Sequence, residues 1–300
     1  MRVSYSWLKE FIPDLPAADV LAEQLPMHGL EVEDIIDQSK GLTSIVVGEV
    51  LTVEKHPQAD KLQLTTVKVA GDQVLNIVCG APNVRVGMKV PVAVVGTTLP
   101  GGMTIERRAI RGQQSEGMLC AEDELGLGTS HEGLLEVSAD ARPGQSFVEV
   151  LGLDDSILDI SVPSNRADLV SVRGVAREIA AILGLAIRWP NEVTTKEKLG
   201  KSSWKASIDA GSGVQQLNIQ SIRDITVAPT PDYIVRRLRS AGIRSVNAVV
   251  DVTNYIMLEY GQPMHAYDAD RLHGKELHGR RLKTEIPLQT LDGVERVLPA

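Results

Sequence analysis

The sequence has 300 residues, of which 43% are hydrophobic and 23% charged, and its formal net charge is −8 at pH 7. This length and composition exclude a disordered chain and allow two or three domains with cores of their own. The negative charge disfavours a protein that holds nucleic acid through its overall field, so any contact with nucleic acid must be local.

No apolar run approaches the roughly 20 residues that a membrane-spanning helix needs. Met1 to Glu10 also lacks the apolar stretch of a secretory signal, and we therefore expect a cytoplasmic protein. The two cysteines, Cys79 and Cys120, lie far apart and form no Cys-x-x-Cys pair. This spacing indicates neither zinc nor a disulfide framework, and we expect both thiols to be reduced and buried.

Two short helices are predicted at the start of the chain. The first covers about Ser6 to Ile12, and the second runs from about Ala17 to His28, with Gly29 just past its end. Pro26 removes a hydrogen-bond donor from the last turn. The second helix is therefore expected to end early or to kink there.

From Ile45 onward the pattern changes to short runs of β-branched residues separated by turn residues. The predicted strands are Ile45–Val50, Leu62–Val69, Val74–Val78, Val90–Val95 and Met103–Ile110. About five strands in roughly 110 residues are typical of an OB-like Greek-key barrel, a fold that often receives nucleic acid on one face.

A longer helix is predicted from Asn165, its N-cap, to Gly184, its end. Its apolar stripe consists of Leu169, Val172, Ala176, Ile179 and Leu183. Residues 191–203 are rich in Lys, Ser, Thr, Glu and Gly, which is typical of a linker.

A further helix is predicted after the linker, with Thr230 as its cap and Pro231 at its first position. We expect Ile234 and Leu238 to face inward. Three arginines are expected to face outward: Arg236, Arg237 and Arg239. The segment Asn247–Tyr260 is rich in β-branched residues, and its period does not distinguish helix from strand.

Several motifs carry a resemblance to a known family. His56-Pro57-Gln58-Ala59-Asp60-Lys61-Leu62, Cys79-Gly80-Ala81-Pro82-Asn83 and Gly117-Met118-Leu119-Cys120, in this order, resemble the tRNA-binding OB module of several aminoacyl-tRNA synthetases. Pro163–Asp168 and Gly174–Glu178 resemble the helix that follows this module in the bacterial phenylalanyl-tRNA synthetase beta subunits. Gly242–Ser245, Val249–Tyr255 and Gly261–Asp268 are similar to the core of the editing domain in that family.

The resemblance implies an α+β multidomain fold. An OB-like β-barrel is inserted in a small helical domain, and an incomplete α/β editing domain follows. The implied divisions are 1–40 with 151–190 as the N-terminal domain, 41–150 as the tRNA-binding barrel, 191–203 as a linker, and 204–300 as the first part of the editing domain. The chain is expected to stop before the end of that domain.

The resemblance also implies a function. Members of the family form α2β2 phenylalanine-tRNA ligases, in which the alpha subunit charges tRNA(Phe) with ATP and Mg2+, and the beta subunit binds tRNA and hydrolyses mischarged tyrosyl-tRNA(Phe). The sequence contains no Gly-rich phosphate loop. We therefore expect no cofactor or metal site in this segment and little activity from the segment alone. The alternative is a non-catalytic tRNA-binding or assembly module related to the beta subunit.

Four residues are candidates for the editing site. His265 would position or deprotonate a hydrolytic water, since an imidazole exchanges protons near neutral pH. Arg244 would hold phosphate or the terminal ribose through its planar donors, and Asn254 and Gln262 would bind substrate. The structural alternatives are a hydrogen-bonding role for His265, helix capping by Arg244, and satisfaction of buried backbone by Asn254 and Gln262.

The best local basic cluster for tRNA phosphate consists of Arg107, Arg108 and Arg111. The competing interpretation of these residues is the solvated face of a β-hairpin.

Overall fold

A computed structural model describes residues 1–128, 131–190, 202–290 and 293–300. The linker predicted at 191–203 therefore lies almost wholly outside the described residues. The first elements are β1 (Arg2–Ser4), α1 (Tyr5–Phe11), α2 (Ala18–Gln24) and β2 (Val32–Asp37). Both predicted helices are confirmed. The second ends early, because Pro26 starts a single 3-10 turn that closes at Gly29, whose φ is 83°.

The middle of the chain forms a barrel-like sheet. Its elements are β3 (Ile45–Lys55), β4 (Gln63–Ala70), β5 (Gln73–Cys79), β6 (Lys89–Val94), β7 (Arg108–Ile110), β8 (Gln113–Ser115), β9 (Gly117–Leu119) and α3 (Phe147–Leu151). Five strands pair antiparallel in the order β5-β4-β3-β6-β9, and β7 pairs with β8. The edge strands β5 and β9 contact each other, so the sheet is nearly closed. This confirms the predicted barrel at the level of a nearly closed sheet.

The predicted fifth strand, Met103–Ile110, is wrong. The fifth strand of the sheet is β9, and only the end of the predicted segment is extended, as β7. The first part folds back on residues 96–99 instead. Ile105 donates to the Thr97 carbonyl at 2.8 Å, and Leu99 donates to the Met103 carbonyl at 2.9 Å. These local bonds satisfy the backbone that a sheet ladder would otherwise pair.

The chain then returns to its first elements through β10 (Ser156–Ile160) and α4 (Val172–Leu183). β10 lies between β1 and β2 and pairs antiparallel with both. α4 ends at Gly184 as predicted. Its predicted start at Asn165 is wrong, because the Ser171 hydroxyl accepts the Gly174 N–H at 3.1 Å and caps the helix.

The last described elements are β11 (Lys205–Ile208), α5 (Asp232–Ser240), α6 (Ala248–Tyr260), β12 (Glu276–Gly279), β13 (Ile286–Gln289) and β14 (Glu295–Leu298). β11 pairs parallel with β12, and β13 pairs antiparallel with β14. The segment Asn247–Tyr260, whose period did not distinguish helix from strand, forms the helix α6. The Asn247 side chain caps this helix by accepting the N–H groups of Val249 and Val250. The predicted cap of α5 is wrong, since the Thr230 hydroxyl donates to Asp251 instead.

One apolar core joins both ends of the N-terminal region. Trp7 of α1 and Leu21 of α2 lie in the same buried cluster as Val175 and Ile179 of α4. Tyr255 and Leu258 of α6 pack against this cluster from outside. Beyond residue 202, the described part of the chain buries few apolar side chains of its own, chiefly Ile234 and Leu238. The packing of α5 and α6 on the N-terminal core therefore supplies much of their burial. The division into domains stays a prediction.

Candidate nucleic-acid interface

The three arginines of the predicted basic cluster lie on or beside one β-hairpin. β7 and β8 are joined by Arg111 and Gly112, whose φ values of 50° and 82° are both positive, as a tight two-residue hairpin turn requires. Arg107 forms an ion pair with Glu116 at 2.9 Å while its side chain stays 67% exposed. Arg108 and Arg111 are exposed, and within the described residues neither has an ion-pair partner. Both guanidinium groups are thus available to a phosphate.

The histidine of the first motif attaches this hairpin to the barrel. His56 is 5% exposed, and its Nδ1 accepts the Gln58 N–H at 3.1 Å. The proton of a neutral ring is therefore on Nε2, which donates to the Ile110 carbonyl at 3.3 Å. The loop that follows β3 is in this way fixed to the strand that carries Arg108.

The seam between the edge strands is closed partly by side chains. The N–H of Val78 donates to the Ser115 hydroxyl at 3.1 Å, and the N–H of Asn76 donates to the Glu116 carboxylate at 3.2 Å. Glu116 returns a backbone bond to the Asn76 carbonyl at 2.8 Å. Edge groups that lack a partner strand are thereby satisfied. Sequence reasoning missed Ser115 and Glu116, since nothing local marks them as partners of β5.

A cleft of about 460 Å³ opens along this seam, and we refer to it as the seam cleft. Its lining includes Cys79–Pro82 from the second motif and Gly117–Leu119 from the third. Asn83 fixes a further wall, since its side chain accepts from the Leu134 N–H at 2.8 Å and donates to the Leu134 carbonyl at 3.0 Å. The second and third motifs therefore converge on one surface feature, whereas no residue of the first motif, His56–Leu62, is among those that line it.

The polar groups of the seam cleft are of mixed charge. Arg108, Glu106, Glu124 and His131 all contribute to its lining. His131 lies 2.9 Å from Asp123, and this hydrogen bond, with the nearby charges of Asp123 and Glu124, raises the pKa of the imidazole. Sequence reasoning missed His131, because its role depends on contacts made by the folded loop.

Both cysteines are free and buried, as predicted. Burial is the main cause that raises the pKa of the Cys79 thiol. For Cys120, burial and the charge of Glu124 raise the pKa to about 12. Both sulfurs are therefore protonated at neutral pH and are poor nucleophiles.

The four candidate editing residues are dispersed over one region of the chain. His265 is exposed, and its ring centroid lies 4.4 Å from that of Tyr267. Arg244 is exposed between α5 and α6, and Asn254 is half-buried on α6. Gln262 donates to the carbonyl of its neighbour Pro263 at 3.3 Å. In the part of the chain that the structure describes, no hydrogen bond or ion pair links any two of the four.

The segment that carries Arg244 is shaped by a buried carboxylate. Asp251 is fully buried and accepts the hydroxyls of Thr230 and Ser245 and the Val246 N–H. Burial raises the pKa of this carboxyl, but the hydrogen bonds donated by Ser245, Thr230 and the backbone outweigh burial and lower it overall. Asp251 is thus an anion on α6 that binds both the residue Thr230, which precedes α5, and the end of the α5–α6 connection at Ser245 and Val246.

The outward orientation predicted for the arginines of α5 holds only for Arg236. Arg237 is largely covered, and its guanidinium lies 4.7 Å from the Trp7 ring centroid and 5.6 Å from those of Tyr233 and Tyr255. It also donates to the Tyr255 hydroxyl at 2.6 Å and pairs with Glu10. Burial lowers the pKa of Arg239. The prediction failed because the aromatic partners of Arg237 come partly from the other end of the chain.

A second arginine makes a similar set of contacts on α4. Arg173 lies 3.9 Å from the ring centroid of Tyr260, 5.2 Å from that of Trp189 and 5.9 Å from that of Phe11. It also pairs with Glu259 at 3.3 Å. We call these two arginines and their rings the arginine cages. They connect α1 and α4 to α5 and α6, so the cations of α5 serve packing within the chain as well as surface charge.

Comparisons with known proteins agree with this arrangement. Residues 45–146, which include β3 to β9, match the family described as "Putative tRNA binding domain", and residues 214–300 match the family described as "B3/4 domain". The phenylalanine–tRNA ligase beta subunit of Oleidesulfovibrio alaskensis is 44% identical, over 100% of this chain and 38% of that protein. The beta subunit of Dickeya dadantii is 42% identical, again over 100% of this chain and 38% of its own length.

The predicted resemblance to phenylalanine–tRNA ligase beta subunits is confirmed. The chain spans about two fifths of the length of these relatives. Among solved structures, the C-terminal domain of Plasmodium vivax p43 is similar at 23% identity and a TM-score of 0.26, over 34% of this chain and 59% of that one.

The described residues contain no group of three or more His, Cys, Asp or Glu side chains that could hold a metal ion. None of the helices described here is long and apolar enough to cross a membrane.

Proposed function

We propose that the chain is part of a phenylalanine–tRNA ligase beta subunit and that its barrel binds tRNA(Phe). The proposal is carried by identity of 42–44% to such subunits along the whole chain, together with the match of the barrel to a tRNA-binding family. The exposed hairpin supports it physically, because Arg108 and Arg111 offer unpaired cations within a chain whose net charge is −8.

Binding of tRNA by this chain should be weak and sensitive to salt. Each phosphate contact releases counterions, so the slope of log K against log salt measures how many contacts form. We expect Arg108→Ala and Arg111→Ala each to reduce that slope by about one. Arg142→Ala, which removes an exposed cation of the barrel outside the hairpin, is the matched control. Tight binding that is unchanged at about 200 mM salt would contradict the proposal.

We propose further that residues 204–300 contribute to an editing site that hydrolyses tyrosyl-tRNA(Phe). An apolar phenylalanine pocket rejects the added hydroxyl of tyrosine only by about two orders of magnitude, which makes a second hydrolytic site useful. An aminoacyl ester is already reactive, so the site needs only to place a water and stabilise the developing oxyanion. His265 would place the water, Arg244 would hold the tRNA end, and Asn254 and Gln262 would contact substrate.

The editing proposal is tested in a complete enzyme assembled with its alpha subunit. His265→Ala should lower deacylation of tyrosyl-tRNA(Phe) by about 10- to 1,000-fold, the scale of a group that positions water. Charging with phenylalanine should stay nearly unchanged. His273→Ala, at another exposed histidine of the same region, serves as the control. Deacylation at the parental rate in His265→Ala would return His265 to a structural role and make Arg244 the next residue to test.

The remaining properties of the complete protein follow from the same proposal. The partner is an alpha subunit in an α2β2 assembly, and ATP and Mg2+ are used by the complete cytoplasmic enzyme. The present segment should neither activate phenylalanine nor deacylate tRNA by itself.

A second candidate function is a non-catalytic tRNA-binding or assembly module. The exposure of both His265 and Arg244, which share no hydrogen bond in the part of the chain that the structure describes, favours it. The two candidates differ in deacylation by the complete protein, which only the first predicts.

A further inference from the structure

Much of the lining of the seam cleft is aliphatic. The residues Met103, Ile105, Ile110 and Met118 line it together with the backbone of Gly80 and Gly117. Its volume of about 460 Å³ is within the range of about 300–1,000 Å³ that is usual for small-molecule sites. A flat apolar group of modest size is therefore suited to this space, whereas a duplex or a helix is too large for it.

The charged groups of the lining select further among occupants. Glu106 and Glu124 disfavour a ligand that is mainly anionic, but their oxygens can accept hydrogen bonds from amino groups. Arg108 supplies a planar donor for one phosphate. An occupant that satisfies all of these groups combines a flat ring, exocyclic amino groups and a single phosphate. A nucleotide whose base is adenine, cytosine or guanine has this combination.

The composition of the barrel also indicates that a bound base would contact aliphatic side chains. Residues 45–146 contain no Phe, Tyr or Trp. Proteins that bind single-stranded nucleic acid usually stack bases on aromatic rings, and the imidazole of His131 is the one aromatic ring among the described residues that line the cleft. A base held in the cleft therefore packs mainly against aliphatic side chains.

We propose that the seam cleft binds one unpaired nucleotide of RNA, with its base between the methionine side chains and its phosphate at Arg108. The proposal deepens the proposed tRNA binding and rests on it for the identity of the RNA. It adds a base-binding site to the phosphate contacts of the hairpin.

The chain offers a matched pair of uncharged variants. Ala81 is half-buried and lines the cleft, so Ala81→Leu fills space that the base would occupy. Ala109 lies between Arg108 and Ile110 in β7, and alternation along a strand places its side chain on the opposite face. Ala109→Leu adds the same atoms outside the cleft. Neither variant changes the charge of the hairpin.

The first experiment uses mononucleotides and is independent of tRNA. Methyl resonances of Met103 and Met118 are followed in the 300-residue chain during titration with AMP, CMP, GMP and UMP. At least one nucleotide should shift both resonances, in the parent and in Ala109→Leu but not in Ala81→Leu. Ribose 5-phosphate, which keeps the phosphate and lacks the base, should shift neither. Absence of a shift at millimolar concentrations of all four nucleotides would overturn the proposal.

The second experiment uses labelled tRNA(Phe). If the parent binds, Ala81→Leu should weaken affinity by about tenfold, the effect of losing one bound base, with an unchanged salt slope. Arg108→Ala should lower both affinity and slope. Equal affinities for Ala81→Leu and Ala109→Leu would refute the cleft as a base site while leaving phosphate binding intact. No binding by the parent would refute the proposed tRNA function instead, and the mononucleotide titration would still decide on the cleft.

Discussion

Replacement of Arg237 should loosen the packing of α5 and α6 on the N-terminal core. The Arg237 side chain is only 16% exposed, so its contacts with three rings and with the Tyr255 hydroxyl are largely shielded from water. A desolvated cation–π contact contributes up to about 2 kcal/mol, and a hydrogen bond to a charged group contributes about 1.5–3 kcal/mol. The Glu10 partner is 53% exposed and contributes little.

These contributions are not additive, because one guanidinium makes all of the contacts. We therefore expect Arg237→Ala to destabilise the junction by about 2–4 kcal/mol. Arg237→Lys keeps the charge but loses the planar donors, and it should recover only part of this loss. Arg236→Ala, at the exposed neighbour on the same helix, should change stability by less than about 0.5 kcal/mol.

Tryptophan fluorescence during urea unfolding is a selective assay for this junction. Trp7 and Trp189 lie in the arginine cages, and residues 45–146 contain no tryptophan. A Trp204→Phe background restricts the signal to the two cage residues. The fluorescence transition of Arg237→Ala should move to a lower urea concentration. The unfolding of the barrel strands, followed by circular dichroism, should occur at the same urea concentration as in the parent. A fluorescence midpoint equal to that of Arg236→Ala would refute the energetic role of the cage.

Three further predictions concern stability. Because the folded-state pKa of Asp251 is lowered, its ionised form stabilises the protein above the unfolded pKa of about 4, and this stability is lost as pH falls through the folded pKa. The difference in unfolding free energy between the parent and Asp251→Asn should therefore shrink on acidification, and a constant difference from pH 7 to pH 2 would contradict it. His56→Ala should cost about 1–3 kcal/mol in urea unfolding of the barrel, since it leaves the Ile110 carbonyl and the Gln58 N–H without their partner. Ser171→Ala should lower the free energy of unfolding by about 1 kcal/mol, and Asn165→Ala should lower it by much less. The reverse order of the unfolding midpoints would place the start of α4 at Asn165.

The barrel strands could be predicted because their signal is local. β3, β4 and β6 contain alternating or continuous β-branched residues bounded by turns. The structure places β4 and β6 within one residue of the predicted limits, and β3 begins at the predicted Ile45 but continues to Lys55. β9 has only three residues, Gly117–Leu119, which is too short for a periodic pattern. Its place in the sheet is decided by pairing with β6 and cannot be derived from its own residues.

The helix caps show a similar limit. Asn165 and Thr230 are both suitable caps by residue type, but the structure uses Ser171 for α4 and gives the Thr230 hydroxyl to Asp251. Several residues with capping side chains compete near each helix start. The choice among them depends on tertiary partners such as Asp251, which the sequence alone does not position.

The two candidate sites also differ in how much of each could be predicted from local sequence. The hairpin arginines could be found from charge clustering, because Arg107, Arg108 and Arg111 are close in sequence. The seam cleft could not be found in this way, since its walls are contributed by separate segments within 78–82, 103–110, 115–124 and 131–134. The motifs indicated that some of these segments matter, and only the closed sheet shows that they enclose one space.

The distribution of aromatic residues separates two tasks within the chain. The sequence has 3 Trp, 5 Tyr and 2 Phe, and the arginine cages contain Trp7, Phe11, Trp189, Tyr233, Tyr255 and Tyr260. The barrel residues 45–146 contain none of them. Stacking is therefore used to hold α5 and α6 against the N-terminal core, while the barrel must rely on cations and on an aliphatic cleft. Because the two sets of residues do not overlap, a cage variant such as Arg237→Lys should loosen the packing of α6 through Tyr255 without changing the affinity of the barrel for tRNA.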